Sequence, residues 1–181
     1  MIIPRHRAIA AYMVFMLSIS TVNAAPIDAA NTAYSKGDYA QAIRLYRSLA
    51  VYGNADAQYS FGMIHYSGEG VIQDYQEALH WFRRSAFQGH AYAQNYLGMM
   101  YYLGKGVNKD YREALKWFLR SVAKENAGAQ YWLGVMHREG RGVSKNYKEA
   151  LKWYRLSAAQ GNADAQTALQ LPEMIEIVQI K

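Results

Sequence analysis

The sequence predicts an all-α protein, a right-handed α-solenoid of stacked helical hairpins, and three observations lead to that reading. A 36-residue step runs through the chain in register: Gly53, Gly89 and Gly161; Ala57-Gln58, Ala93-Gln94, Ala129-Gln130 and Ala165-Gln166; Ala42, Ala78, Ala114 and Ala150. Self-similarity at such a period marks units that cannot bury their apolar face alone and therefore stack on one another. Gly-x-Gly-Val loops beginning at Gly68, Gly104 and Gly140 interrupt each unit at the same place, where glycine enters the left-handed region cheaply and ends a helix. Asp38, Asp74, Asp110 and Asn146 each open an Asp/Asn-Tyr-x-Glu/Gln stretch, which reads as a capping box whose first residue caps a helix and whose fourth returns to the first amide.

Residues 1–24 read as an export signal, with Arg5 and Arg7 at the positive end, an apolar run from Ala8 to Ile19 and a small-residue cleavage site at Val22-Asn23-Ala24. That run is short of the ~20 residues needed to span a bilayer, so cleavage near Ala24 is expected and the mature chain starts at Ala25. Residues 25–52 form a smaller first hairpin, from Ala29 to Tyr34 and Asp38 to Tyr52, turning at Ser35-Lys36-Gly37. Full repeats follow over 53–88, 89–124 and 125–160. In each, a first helix carries Ala-x-Ala-Gln and ends near Tyr66, Tyr102 or Arg138, and the valine after the glycine loop plugs the corner. The second helix buries a stripe: Ala78, Leu79 and Phe82, then Ala114, Leu115 and Phe118, then Ala150, Leu151 and Tyr154, with Trp81, Trp117 and Trp153 at one shared position. Recurrence at the period of the fold assigns those tryptophans to the core. Gly62, Gly98 and Gly134 sit mid-helix, where glycine costs about 1 kcal/mol, so a close approach of the second helix is expected there. Residues 161–181 begin a fourth copy, but Gln170 stands at the glycine position and Pro172 follows. The stack ends there, with Glu173 to Lys181 as a short apolar cap or a frayed tail.

The absence of cysteine excludes disulfides and cysteine metal sites, so stability comes from packing alone. Loss of Arg5 and Arg7 with the signal lowers the formal charge from +6 to +4. Glu77, Glu113 and Glu149 interrupt the basic residues in every repeat, which is not the footprint of a nucleic-acid binder.

Ala-x-Ala-Gln, Leu97-Gly98-x-x-Tyr101, Gly104-Lys105-Gly106-Val107 and the run from Asp110 to Phe118 closely resemble the Sel1-like repeat, a relative of the tetratricopeptide repeat. The likeness covers residues 53 to about 170, and the first hairpin is more similar to an ordinary tetratricopeptide unit. The resemblance implies a non-enzymatic scaffold or adaptor for protein assemblies, in the periplasm or secreted, from a bacterium. Glu125 departs from the pattern by replacing the glycine of positions 53, 89 and 161, which puts the turn there in question. Some exported, cysteine-rich members are linked to penicillin binding or hydrolysis, and this chain lacks their disulfides.

By register with the tetratricopeptide arrangement, the first helix of each hairpin lines a concave groove. Tyr59, Met63 and Tyr66, then Tyr92, Asn95, Met99 and Tyr102, then Tyr131, Val135 and Arg138 are expected to face into it. Aromatic and methionine side chains suit protein contact, and Asn95 suits a peptide amide. Tyr59 and Tyr131 also fit a packing role, because the family favours tyrosine there. A second surface, Lys105, Lys109, Arg112, Arg141, Lys145 and Lys148, offers an alternative: an anionic envelope component such as lipid head groups or a cell-wall polymer. Solvated loop charge is the plainer account of that set.

Nothing in the residues points to catalysis, a cofactor or a metal. His65 and His137 share a register position held by Tyr101 between them, and no histidines form a ligand set. Ser121-Val122-Ala123-Lys124 matches a Ser-x-x-Lys fragment of penicillin-recognising enzymes but lacks its companion motifs, and lysine there suits the end of a helix.

Overall fold

The computed structural model describes residues 26–179, so the expected export signal lies outside the described residues. Among the described residues ten helices follow one another: α1 (26–35), α2 (Tyr39–Val51), α3 (Ala55–Ser67), α4 (Tyr75–Phe87), α5 (Ala91–Leu103), α6 (Tyr111–Val122), α7 (Ala127–Glu139), α8 (Tyr147–Ala159), α9 (Ala163–Ala168) and α10 (Pro172–Gln179). No strand occurs among the described residues. The tightest pairs are α3 with α4, α5 with α6 and α7 with α8, and each pair continues into the next through α4–α5 and α6–α7. That nearest-neighbour packing makes the chain an α-solenoid.

Helix starts follow from their caps. Asp74 Oδ1 accepts from the amides of Gln76 and Glu77, Asp110 Oδ1 from Arg112 and Glu113, and Asn146 Oδ1 from Lys148 and Glu149. The expected return bond from the glutamate to the cap amide is replaced by another. Asp74, Asp110 and Asn146 each donate their amide to the preceding helix, at His65 O, Tyr101 O and His137 O over 2.8–2.9 Å. Glu77 turns outward to accept from Trp81 Nε1 at 2.7 Å. The amide that would close the box therefore closes the hairpin. Helices α3, α5 and α7 end on Gly68, Gly104 and Gly140 with φ of 80°, 76° and 70°, as the left-handed cap requires.

Phe82, Phe118 and Tyr154 are fully buried, and each lies over the mid-helix glycine of its own hairpin. A Cβ on Gly62, Gly98 or Gly134 would stand 2.8, 2.6 or 2.5 Å from the ring. Burying such a ring is worth roughly 2–3 kcal/mol, which outweighs the helix penalty of the glycine. Trp81 and Trp117 are buried and Trp153 is half-buried, all within the core clusters. The stack closes with α10, which packs on α8 and buries Met174 completely. Residues through 179 thus form a cap.

Candidate functional site

The first helices of successive units begin side by side, at caps Asn54, His90, Asn126 and Asn162, each accepting the amide three residues on at 2.8–3.2 Å. The residue before each cap takes a positive φ: 97° at Gly53, 90° at Gly89, 58° at Glu125 and 85° at Gly161. Glu125 therefore preserves the turn its glycine counterparts make, in a region that disfavours a side chain. Across these starts lies a cleft of about 560 Å³, bounded by Tyr59, Tyr92, Asn95 and Tyr96 on one side and by Lys124 to Gly128 and Gln160 to Asn162 on the other.

Its walls differ from one junction to the next. Where the first full repeat meets the second, Tyr59 stacks on His90 at 4.7 Å, with Tyr92 6.1 Å from each ring. The same positions one repeat later hold Asn95, Asn126 and Gly128. Asn95 is buried, its Oδ1 has no hydrogen-bond partner, and its Nδ2 finds only the Met99 sulfur at 3.8 Å. Gly128 is what lets Asn95 lie close, since a Cβ there would stand 2.9 Å from Nδ2.

A second irregularity adjoins it. Gln88 Nε2 donates to Gln58 Oε1 at 2.7 Å and Gln160 Nε2 to Gln130 Oε1 at 2.8 Å. Between them Lys124 stands where a glutamine would, and the buried Gln94 Oε1 is left without a partner. Burial holds the His90 imidazole below its ordinary range, helped by Lys124 and opposed by Asp56, which lies 3.2 Å from Nε2. Burial likewise pushes the Tyr59 hydroxyl well above the usual phenol range.

Of the positions expected in the groove, Tyr59, Tyr92 and Asn95 meet in the cleft. Tyr92 is 60% exposed, the freest of the three. Met63 joins Tyr59 in a separate cavity of about 170 Å³ with Tyr34, Tyr46 and Ser60. Met99, Tyr131 and Arg138 are half-buried, Arg138 pairing with Glu139 at 3.0 Å. Tyr102 and Val135 do not face outward. The Tyr102 ring is buried between Tyr111 and Trp132 while its hydroxyl donates to Glu139 at 2.5 Å, so a partner in the next repeat draws it inward. Val135 is buried in the cluster that also holds Met174 of the closing helix. Tyr96, Lys124, Asn126, Gly128, Gln160 and Asn162 were not expected at the site; comparing the repeats column by column at 95, 124 and 128 is the signal that finds it.

The alternative basic surface is partly committed to the fold. Lys105 Nζ donates to Tyr66 Oη at 3.0 Å and lies 4.8 and 4.9 Å from the Tyr66 and Tyr75 ring centres; that hydroxyl holds the ammonium above its usual range. Arg141 lies over Tyr102 and Tyr111 and pairs with Glu139 at 3.1 Å. Lys145 sits 4.8 Å over Tyr147 and is exposed, as are Lys109, Arg112 and Lys148. Glu69, at the Lys105 position, accepts a hydrogen bond from Tyr34. This column of loop residues latches each repeat to the one before. Among the described residues no three His, Asp or Glu side chains gather as a metal site.

A tandem stack of helical hairpins, each packed on the next, defines an α-solenoid repeat protein. The Sel1 repeat matches residues 55–90, 91–126 and 127–162, and a tetratricopeptide repeat matches residues 30–56. The chain belongs to the Sel1 repeat family. A Sel1 repeat protein from Oxalobacter formigenes is 32% identical with a TM-score of 0.72, over 77% of this chain and 57% of that one. The protective antigen c5321 of uropathogenic Escherichia coli, which displays the same repeat fold, is 33% identical with a TM-score of 0.74, over 85% of this chain and 34% of that one. Cysteine rich protein B of Helicobacter pylori shares the fold at 23% identity and a TM-score of 0.56, over 73% of this chain and 95% of that one. This chain therefore spans little more than half of the first relative and about a third of the second. No curated protein matches it. Proteins built of these repeats are generally scaffolds for protein–protein interaction.

Proposed function

We propose that this protein is a non-enzymatic adaptor, exported to the periplasm or beyond, that holds a segment of a partner protein across the helix starts of its first helices. The observation that carries this reading is the 560 Å³ cleft, which joins exposed Tyr92 to half-buried Tyr59 and buried Asn95. Its aromatic side, Tyr59, Tyr92 and Tyr96, faces polar groups across the cleft, a combination that suits recognition of a protein segment. Lys105 and Arg141 are engaged by tyrosines of the preceding repeat, which leaves the anionic-envelope alternative with fewer free cations.

Capture from a native bacterial envelope extract tests the reading, with the parent beside the Tyr92→Ala, Asn95→Ala double variant at low and high salt. Retention by the parent, loss with the variant and indifference to salt support the cleft. Retention by both, with loss in high salt, transfers the function to the basic loops. Export is tested separately by the N-terminal residue of the mature protein, expected at Ala25.

A further inference from the structure

We propose that the cleft at the second junction takes an aromatic side chain bearing a hydrogen-bond donor, a tyrosine above all, supplied by the partner segment; this rests on the protein-binding reading above. The argument comes from the chain's own repetition. At the first junction the Tyr59 ring fills the space beside the neighbouring cap, stacked on His90 and flanked by Tyr92. At the third junction Tyr131 again supplies a ring at the same position. Only at the second does that column lack a ring, holding Asn95; Asn126 and Gly128 stand there where the first junction has His90 and Tyr92, as Asn162 and Asp164 do at the third. An aromatic place that the fold fills on either side is thus unfilled in the middle, and the cleft lies there.

The chemistry of the walls narrows the occupant. Tyr92 and Tyr96 offer ring faces and edges to an incoming ring. Asn95, more than nine-tenths buried, keeps an Oδ1 that accepts from nothing and has almost no exposed surface; a turn of the side chain toward the cleft would let an occupant's O–H or N–H supply the missing bond, which favours such an occupant over a purely apolar one. The volume of about 560 Å³ accommodates one ring with the flanking backbone of its segment. Glu125 holds a positive φ of 58° at the rim, and departures from local preference cluster where a site is built.

The test uses N-acetyl-tyrosinamide and N-acetyl-leucinamide as probes, titrated into the isotope-labelled protein and followed by amide resonances. The tyrosine probe is expected to move the resonances of Asn95 and of Asn126 to Gly128, and to bind at least about tenfold tighter than the leucine probe. Asn95→Tyr restores the ring of the neighbouring junctions and is expected to abolish those shifts without lowering the melting temperature. Should that variant fail to fold, Gly128→Ala, which sets a methyl against Asn95, is expected to weaken the probe by about tenfold. Equal binding of both probes, no shifts at these residues, or shifts unchanged in the variants would overturn the proposal. A protein partner captured equally by parent and Asn95→Tyr would overturn the aromatic slot while leaving the adaptor reading intact. Probe binding at the cleft with no captured partner would do the reverse.

Discussion

The Ser121 hydroxyl donates to the Ala91 carbonyl at 2.7 Å, tying α6 to the first residue of α5. Ser85 and Ser157 do the same to Ala55 and Ala127 at the same distance, so the bond is part of the repeat. The serine of the Ser-x-x-Lys fragment is therefore buried and engaged in the packing of the repeat. Ser121→Ala is expected to cost about 1 kcal/mol, the net worth of one such bond, read as a lower midpoint in urea. An unchanged midpoint would mean that the bond contributes nothing.

Two effects of opposite sign meet at Gly98. Alanine would gain about 1 kcal/mol in helix propensity, but its methyl would lie 2.6 Å from the Phe118 ring. Overpacking of a fully buried ring costs about 1–3 kcal/mol, so Gly98→Ala is expected to lower the melting temperature. A rise would show that the ring gives way and that glycine is not required for the hairpin to close.

What repeats was legible in the sequence, as were the breaks at Glu125 and Gln170, whereas contacts made from one repeat to the next were not. The columns of Asp74, Gly68 and Phe82 each encode a local rule, a cap, a left-handed end and a buried face, so the hairpins could be placed without coordinates. Tyr102 could not be, because its burial depends on Glu139, 37 residues on and in the next repeat. The same holds for Lys105 and Arg141, whose charge reads as a surface until the tyrosines beneath them are seen. The cleft was half legible: Asn95 and Tyr92 stand on one helix, but Gly128 reaches Asn95 only across the junction.

Lys124 and Glu125 are the two residues at which restoring the repeat should stabilise the chain. Lys124→Gln supplies the donor that Gln94 Oε1 lacks, as Gln88 and Gln160 do for their partners, and is expected to gain about 1 kcal/mol. Glu125→Gly removes a left-handed side chain at a gain of about 1 kcal/mol. Each change should raise the melting temperature, and the pair should raise it more. A loss for Lys124→Gln would show that the lysine makes a stabilising contact of its own.

His90 makes the second junction's neighbour sensitive to acid. It is the one histidine among caps that are otherwise Asn54, Asn126 and Asn162, and its Nδ1 must be unprotonated to accept the Ala93 amide at 3.2 Å. Burial depresses its folded-state pKa below the ordinary 6.5, so the unfolded chain takes up the proton first as the pH falls. The stability this group contributes is therefore complete above about pH 6.5 and is lost between there and the lower folded-state value. His90→Asn keeps a capping acceptor and removes the titrating group. The variant is expected to hold its melting temperature better than the parent as the pH falls from about 6.5 to about 5, with a constant difference above that window. Parallel curves through the acid range would show that the protonated ring is accommodated, with Asp56 as the group that receives it.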